Sequence, residues 1–361
     1  MTTPCAARVL SEIIAIGRVP SRVLHIRSQD VNGSGEKKPR PICYIIPGNP
    51  GASSFYRTFM QHLWEYSNGS MDLISVSHAG QDPGVLKSEV DCTASSLAPS
   101  DDLSCENDKV VSDSLLREQS TYLAPTNSSS SVAVDVEYFT VADQVDHHNN
   151  ALHQLTEPNQ PVILMGHSMG SYIITEMCRR YVNTEVRIVR ALHLLPCPAW
   201  MGRSPNGQRL GPILTGFHSW ICAAHHLVTF LPHCILRAAI RLHLSDVTQD
   251  IIDECVDIVM HSITGPNCRA MVANTAALGA NEVNVMKEFD FETLRVMQTR
   301  STFLCSPVDG WFPLHCIDEL RAEIPELDVR IVDDIPHAFC LNKNAEVAKV
   351  AWNLVEHLVS S

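Results

Sequence analysis

The chain has 361 residues, of which 45% are hydrophobic and 19% charged, and its formal net charge at pH 7 is -13. A chain of this length and composition can bury a sizeable core, in one large domain or two ordinary ones. The negative charge excludes broad nucleic-acid binding, which requires a positive surface. The 13 cysteines are scattered and include no C-x-x-C pair, which predicts buried thiols in a reducing compartment, without a disulfide framework or a zinc site. No metal or organic cofactor is predicted.

The N-terminal part of the chain predicts an edge hairpin followed by two strands. Residues 1–17 make a poor signal peptide, because they lack a basic start and a long apolar run. Arg18 to Ser28 alternates between apolar and polar side chains, which predicts an antiparallel hairpin at a sheet edge. Strands are predicted over Ile42 to Ile46 and Asp72 to Ser77, and the apolar spacing between them predicts a helix over Ala52 to Ser67.

A polar segment then interrupts this pattern. From Gln81 to about Val136 serines and acidic residues dominate, and apolar residues are isolated. Such a segment cannot bury enough apolar surface to offset the entropy of ordering. We predict that residues 81–136 form a mostly disordered insertion in a surface loop, and a small regulatory subdomain is the alternative.

A serine flanked by glycines lies between a predicted strand and a predicted helix. Four consecutive apolar residues precede Gly166-His167-Ser168-Met169-Gly170, and helical apolar spacing follows. This G-x-S-x-G arrangement predicts a nucleophile elbow, in which Ser168 has a strained backbone and Gly166 and Gly170 must be small. The alternative is a glycine-rich turn that packs a helix on a sheet, with Ser168 merely small.

The segment 199–290 predicts a helical lid or cap. Its stretch Leu210 to Leu236 contains no Asp, Glu, Lys or Arg, and about 20 apolar residues suffice to cross a bilayer. Internal prolines and histidines disfavour a simple span. Two interpretations stay open: a bent hairpin that dips into one leaflet of a membrane, or a buried pair of lid helices over the active site. Helices predicted over 246–262 and 268–286 complete the segment.

The remaining elements continue an alternation of strands and helices. The further strands are predicted over 186–195, 301–305 and 327–332, and the further helices over 140–155, 313–323 and 344–360. This alternation predicts an α/β fold in which residues 1–361 form one domain, with a doubly wound, mostly parallel sheet and an inserted helical lid.

Two further residues complete a candidate catalytic constellation with Ser168. A serine nucleophile requires a base, and the base requires an orienting group. Asp309 and His337 each follow a predicted strand, at the sheet edge that presents Ser168 and in the order of the α/β-hydrolase fold. We therefore predict that His337 is the general base and that Asp309 orients it. Asp333 and Asp334 are nearby alternative acids, and Asp309 has a second interpretation as a helix N-cap.

The oxyanion formed on attack requires backbone N–H donors that are already in position. One is predicted from Met169, directly after the nucleophile. The other is predicted from Asn49, in the Pro47-Gly-Asn-Pro-Gly51 loop after the first long core strand. His78 lies in another strand-exit loop, where it either lines the pocket or has a surface role.

Several motifs spread over the chain point to one family. They are Ile45-Ile-Pro-Gly-Asn-Pro-Gly51 with Phe55-Tyr56, Ser77-His-Ala-Gly80, Gly166-His-Ser-Met-Gly-Ser-Tyr172, Ser204-Pro-Asn-Gly207 and Ile335-Pro-His-Ala-Phe339. Together they resemble the lipid droplet-associated hydrolase family, outside residues 81–136 and much of residues 1–39. The P-G-N-P-G and S-P-N-G elements are far more specific than G-x-S-x-G alone. The chain departs from the family in its long insertion and at Gly310, where proline is expected after the acid.

The resemblance implies a serine lipid hydrolase at lipid droplets and the endoplasmic reticulum, facing the cytosol. The implied substrates are neutral lipid esters such as cholesteryl ester, with no cofactor. The catalytic role falls on Ser168, Asp309 and His337, and Leu210 to Leu236 becomes the candidate for attachment to a droplet or membrane surface. Protein partners are not indicated.

Three functions stay open at this point. The leading hypothesis is a serine esterase or lipase that forms an acyl-enzyme at Ser168. The second is a catalytically inactive hydrolase scaffold that coats lipid droplets or recruits partners. The third is a soluble thioesterase or peptidase with a closed lid.

Overall fold

A mostly parallel sheet forms the centre of the molecule. The computed structural model describes residues 8–28, 40–84, 136–181, 186–244, 247 and 251–359. The strands of this part of the chain are β1 (Leu10–Ile16), β2 (Val19–Ile26), β3 (Ile42–Ile46), β4 (Asp72–Val76), β5 (Pro161–Ser168), β6 (Arg187–Pro196), β7 (Ser301–Cys305) and β8 (Asp328–Ile331). Their order is β1-β2-β4-β3-β5-β6-β7-β8, and β2 pairs antiparallel with both β1 and β4, whereas the other neighbours are parallel.

Helices cover both faces of this sheet. In the described residues they are α1 (Arg57–Tyr66), α2 (Val141–Leu155), α3 (Gly170–Tyr181), α4 (Pro205–Val228), α5 (His233–His243), α6 (Ile252–Thr264), α7 (Cys268–Val285), α8 (Phe291–Met297), α9 (Leu314–Glu323), α10 (Phe339–Asn342) and α11 (Asn344–Val359). Tyr44 and Ile46 of β3 pack with α2 and α3 on one face, whereas Cys43 and Ile45 pack with α1 and α11 on the other. A strand that is buried on both faces is apolar at every position, which explains the continuous run in β3. The predicted doubly wound sheet is confirmed.

Four helices between β6 and β7 form a lid over the carboxyl end of the sheet. We define the lid as α4 to α7, residues 205–285. Its helices α5 and α6 share a small apolar core that includes Leu236, Leu244, Val256 and Met260. Because the lid also packs on the sheet domain through α2 and α7, it is fixed at one side of the cavity described below.

The charge-free segment 210–236 lies in α4 and α5 and has two different faces. Leu214 and Ile221 line the internal cavity. Trp220, Leu227 and Phe230 are 71%, 70% and 73% exposed, so the predicted pair of lid helices is not buried on its outer face. None of the described helices has the length and apolar character needed to cross a membrane.

The hairpin and the start of the insertion differ from the sequence predictions. Arg18 to Ser28 supplies only the second strand of the hairpin, and the first is β1, whose alternation is weak because it is an exposed edge strand. The insertion does not begin at Gln81, because Gln81 and Asp82 are 0% and 4% exposed. Asp82 accepts a hydrogen bond from Arg22 at 2.9 Å. The rest of the predicted insertion, residues 85–135, lies outside the described residues.

Candidate active site

Ser168 occupies a sharp turn between β5 and α3. Its φ is 55°, a left-handed conformation that costs free energy for a residue with a side chain. A Cβ atom at position 166 would lie 2.4 Å from the carbonyl oxygen of Gly170, and one at position 170 would lie 2.6 Å from the carbonyl oxygen of Ile46. Only glycine fits at either position, so the two glycines allow the strand and the helix to meet behind the serine.

The structure brings Ser168, His337 and Asp309 into one hydrogen-bonded chain. His337 Nε2 lies 2.9 Å from Ser168 Oγ, and His337 Nδ1 lies 2.8 Å from Asp309 Oδ2. Because an ionised carboxylate only accepts hydrogen bonds, Nδ1 carries the proton and Nε2 is left to accept the serine hydroxyl proton. The Asp309 side chain is 1% exposed and that of His337 is 18% exposed, so the acid is buried while the base reaches the cavity.

The second oxygen of Asp309 has its own partner. Asp309 Oδ1 accepts a hydrogen bond from the backbone N–H of Trp311 at 2.8 Å. The following helix, α9, begins at Leu314 with Pro313 as its N-cap, so the interpretation of Asp309 as a helix cap is wrong. The two contacts together fix the carboxylate toward the imidazole. The alternative acids at positions 333 and 334 are exposed.

The predicted oxyanion donors lie at the elbow. Met169 follows Ser168 directly, and its side chain is buried. The loop that contains Asn49 runs beside the serine, since a Cβ atom at Gly48 would lie 2.8 Å from the Cβ atom of Ser168. Asn49 also lines the cavity. The role of the two backbone N–H groups stays a prediction.

A second hydrogen-bonded chain, which sequence reasoning missed, connects the loops of Gly48 and His337 through Tyr56 and through His167 of β5. The Gly48 N–H donates to Tyr56 Oη at 2.9 Å, Tyr56 Oη lies 2.6 Å from His167 Nδ1, and His167 Nε2 lies 2.8 Å from the carbonyl oxygen of His337. The carbonyl oxygen can only accept, so Nε2 donates to it and Tyr56 donates to Nδ1. Burial lowers the pKa of His167 well below its ordinary value, which keeps the ring neutral in this role. Tyr56 and His167 both belong to motifs quoted above, and that was the available signal.

His78 neither lines the pocket nor lies at the surface, so both interpretations of it are wrong. It is 1% exposed, and its Nδ1 lies 2.8 Å from Nε2 of the buried His148. Burial lowers the pKa of His78 to about 3, so this ring is neutral. Its backbone N–H donates to the carbonyl oxygen of Gly51 and thereby supports the loop of Asn49 from behind.

An apolar cavity of about 520 Å³ opens above Ser168. The lid supplies nearly half of its lining residues, including the apolar side chains of Leu210, Leu214, Ile221, Val259, Ile263 and Met271. Cavities of this size and apolar lining are typical of small-molecule and lipid sites. With a serine and a histidine at its floor, the cavity can hold an apolar substrate against a nucleophile and a base.

Solved structures with the same architecture define the fold of this chain. A serine hydrolase from Cycloclasticus zankles superimposes with a TM-score of 0.57 at 13% identity. The match covers 97% of this chain and 99% of the hydrolase chain. An E-2-(acetamidomethylene)succinate hydrolase gives a TM-score of 0.56 at 12% identity. That match covers 97% of this chain and 100% of the succinate hydrolase chain. The chain therefore has the α/β-hydrolase fold.

Comparison of amino-acid sequences identifies the family, which the structural comparison does not. The profile of the lipid-droplet associated hydrolase family matches residues 39–91 and 115–340. The human lipid droplet-associated hydrolase is 28% identical over 315 residues, which cover 86% of this chain and 83% of the human protein. The chain belongs to the lipid-droplet associated hydrolase family. The match ends at residue 91 and resumes at residue 115, so both ends of the predicted insertion, residues 81–136, fall within the family match.

Proposed function

We propose that the protein is a serine esterase that hydrolyses neutral lipid esters, such as cholesteryl ester, through an acyl-enzyme at Ser168. The observation that carries this proposal is the hydrogen-bonded chain from Ser168 through His337 to the buried Asp309. Such a chain activates a serine hydroxyl, because the base takes its proton as the oxygen attacks.

The reaction follows from these contacts in two halves. Ser168 Oγ attacks the ester carbonyl carbon while His337 Nε2 takes the hydroxyl proton, and the N–H groups of Asn49 and Met169 donate to the oxyanion. The tetrahedral intermediate collapses, and the same proton passes to the departing alcohol. A water molecule then repeats the sequence on the acyl-enzyme and releases the acid. Throughout, Asp309 holds Nδ1–H and stabilises the imidazolium.

The apolar cavity supports a lipid as the substrate. Its wall of leucine, isoleucine, valine and methionine side chains suits a long acyl chain or a sterol ring and offers few partners to a polar acyl group. The relatives that share this family are named for their association with lipid droplets.

We further propose that the exposed apolar face of the lid attaches the protein to the surface of a lipid droplet or of the endoplasmic reticulum, from the cytosolic side. Trp220, Leu227 and Phe230 project from α4 and the turn after it. Exposed apolar side chains of this size insert into an interface and leave a polar protein body outside. The cavity lies on the inner side of the same helix, so an ester at the droplet surface has a short path to Ser168.

Covalent labelling with a fluorophosphonate tests the esterase directly. We expect the purified wild-type protein to be labelled, and Ser168→Ala to lose all labelling, because the probe reacts with an activated serine only. Detergent or lipid is present in both samples so that the lid can open. A folded wild-type protein that takes up no label would contradict the esterase and favour the scaffold that coats lipid droplets.

Substitution of the exposed lid residues tests the attachment. In Trp220→Ser/Leu227→Ser/Phe230→Ser, we expect binding to phospholipid-coated triacylglycerol droplets to fall by at least about tenfold, since each buried large side chain contributes about 1.5–3 kcal/mol. Flotation with the droplets measures the bound fraction. Val296→Ser, at an exposed apolar residue of α8, is the matched control and should float like wild type. Equal flotation of the triple variant would favour a soluble thioesterase or peptidase.

A further inference from the structure

A buried carboxyl group of the lid faces the active site, and the reaction above does not use it. Glu282 of α7 is 2% exposed and lines the cavity. Its Oε1 accepts a hydrogen bond from Asn49 Nδ2 at 2.8 Å. The two residues are far apart in the sequence, and the contact joins the lid to the loop that supplies a proposed oxyanion donor.

The Asn49 side chain is held by the lid helix at two points. Asn49 Nδ2 also donates to the carbonyl oxygen of Thr275 at 3.0 Å. Thr275 and Glu282 are two helical turns apart and therefore lie on one face of α7. Because the Thr275 carbonyl can only accept, the amide nitrogen must point toward the helix, which fixes the orientation of the amide.

We infer that Glu282 is a positioning residue that couples the lid to the Pro47–Gly51 loop, called the oxyanion loop below, and that it must be uncharged for full activity. This inference rests on the proposed function. The side chain of Asn49 is fastened to Glu282 and Thr275, so the position of α7 sets the position of the backbone N–H of the same residue. A displacement of α7 relative to this loop would therefore displace the Asn49 N–H as well.

The charge state of Glu282 matters because the oxyanion is negative. Burial raises the pKa of Glu282 to about 8, and the hydrogen bond from Asn49 opposes part of this rise. Below that pH the carboxyl group is neutral and still accepts from the amide. Above it, a buried negative charge lies near the site where the oxyanion forms, and the repulsion is strong because little water screens it.

We attribute the expected fall in activity at alkaline pH to Glu282 and not to the other titratable groups around the cavity. Those that line the cavity are Tyr56, His167, Cys197, His337 and Cys340. Burial holds the pKa of Tyr56 and Cys197 well above their ordinary values, raises that of Cys340 to about 12 and lowers that of His167. The charge of Glu282 adds to the rise in the pKa of Cys197. The elements that pack on α7 include α2, α4, α6 and the turn Met201–Arg203. Of these, α4, α6 and Met201 contribute uncharged residues to the cavity wall, and α2 contributes none. His337 acts as the base in every variant.

The rate of fluorophosphonate labelling against pH tests the inference. For wild type we expect the second-order rate constant to fall by about tenfold between about pH 7 and pH 10, as Glu282 ionises. Glu282→Gln keeps the acceptor and cannot ionise, so it should stay within about threefold of wild type at pH 7 and show no alkaline fall. Glu282→Leu removes the acceptor and should label at least about tenfold more slowly at every pH.

A matched control lies on the same helix. The Asn274 side chain ties α7 to the segment before α2, through contacts with the backbone of Glu137 and Phe139. Asn274→Ala should keep the alkaline fall of wild type, because it leaves Asn49 and Glu282 in place. An Asn274→Ala profile that is as flat as that of Glu282→Gln would overturn the inference.

Thermal unfolding separates this role from a merely structural one. The pKa of Glu282 in the folded state lies above the ordinary value of 4.5, so neutral Glu282 favours folding at low pH, and this advantage is lost as the pH rises toward about 8. Wild type should therefore lose Tm relative to Glu282→Gln over that range. If Tm responds but wild type and Glu282→Gln have the same labelling profile, the coupling to catalysis is overturned. No labelling of folded wild type at any pH overturns instead the proposed function on which the inference rests.

Discussion

Replacing His337 by alanine is expected to lower kcat/KM for p-nitrophenyl butyrate by about 10⁴-fold or more. Without the imidazole, no side chain in the described part of the chain is within hydrogen-bond distance of Ser168 Oγ to take its proton, and the departing alcohol loses the proposed acid. The measurement is steady-state hydrolysis in detergent, beside Ser168→Ala and the double variant. The serine and the base act as one unit, so the double variant should be no slower than either single variant. An active His337→Ala protein would contradict the proposed mechanism.

Asp309, the residue proposed to orient His337, has a matched control close by. Asp309→Asn keeps the shape of the side chain, but its NH₂ group faces Nδ1 and favours the wrong tautomer, so a loss of about 10³–10⁴-fold is expected. Asp333 is exposed and precedes His337 by a few residues, and Asp333→Asn should remain within about twofold of wild type. Similar losses in the two variants would reassign the acid. Circular dichroism of each variant shows whether the fold is intact.

Gly170→Ala is expected to destabilise the protein by about 3 kcal/mol or more and to abolish labelling of Ser168. The added methyl carbon would lie 2.6 Å from the carbonyl oxygen of Ile46 and 2.8 Å from that of Pro47. These are backbone atoms of the central strand β3 and of the loop that follows it, so they cannot move aside as a flexible side chain would. Either α3 shifts and displaces the elbow, or the oxyanion loop shifts. Urea unfolding and labelling measure both effects.

The control for this prediction is a glycine of the lid with free space around it. A Cβ atom at Gly216, in α4, would meet nothing within 4 Å. Alanine is the better helix former, but α4 is kinked at the next residue, Phe217, so Gly216→Ala should change the stability by less than about 1 kcal/mol and should label like wild type. A stable, reactive Gly170→Ala protein would show that the elbow is less crowded than these distances indicate.

Two hydrogen-bonded chains meet at the candidate site and have different roles. One runs from Ser168 through His337 to Asp309, and in the proposed mechanism a proton passes only between Ser168 and His337 while Asp309 orients the ring. The other runs from Gly48 through Tyr56 and His167 to the backbone of His337, and it fixes the loops that carry the proposed base and the proposed oxyanion donor. A neutral, buried imidazole suits this second role, because it accepts at one nitrogen and donates at the other. His167 thus supports the geometry without contacting the reacting atoms.

The sequence by itself determined the strands from β2 onward, the elbow and the candidate constellation of Ser168, Asp309 and His337, but it missed β1. These features depend on local patterns. Strands buried on both faces appear as apolar runs, the elbow requires glycine on both sides of its serine, and loops after parallel strands open at the same sheet edge. The chemistry of each residue type and its place after a strand were therefore sufficient to select the same three side chains that the structure joins by hydrogen bonds.

Only the tertiary structure decided which distant residues meet. Glu282 contacts Asn49, Gln81 accepts from the Gly51 N–H at 2.6 Å, and Trp220 of the lid faces outward while Ile221 faces the cavity. Because Gln81 is polar, it was assigned to the predicted disordered insertion. In the structure its side-chain amide is buried and accepts the hydrogen bond from the Gly51 backbone. No periodicity along the chain encodes such contacts, because they depend on how the lid packs on the sheet, and burial then decides whether a polar group is solvated or positions the site.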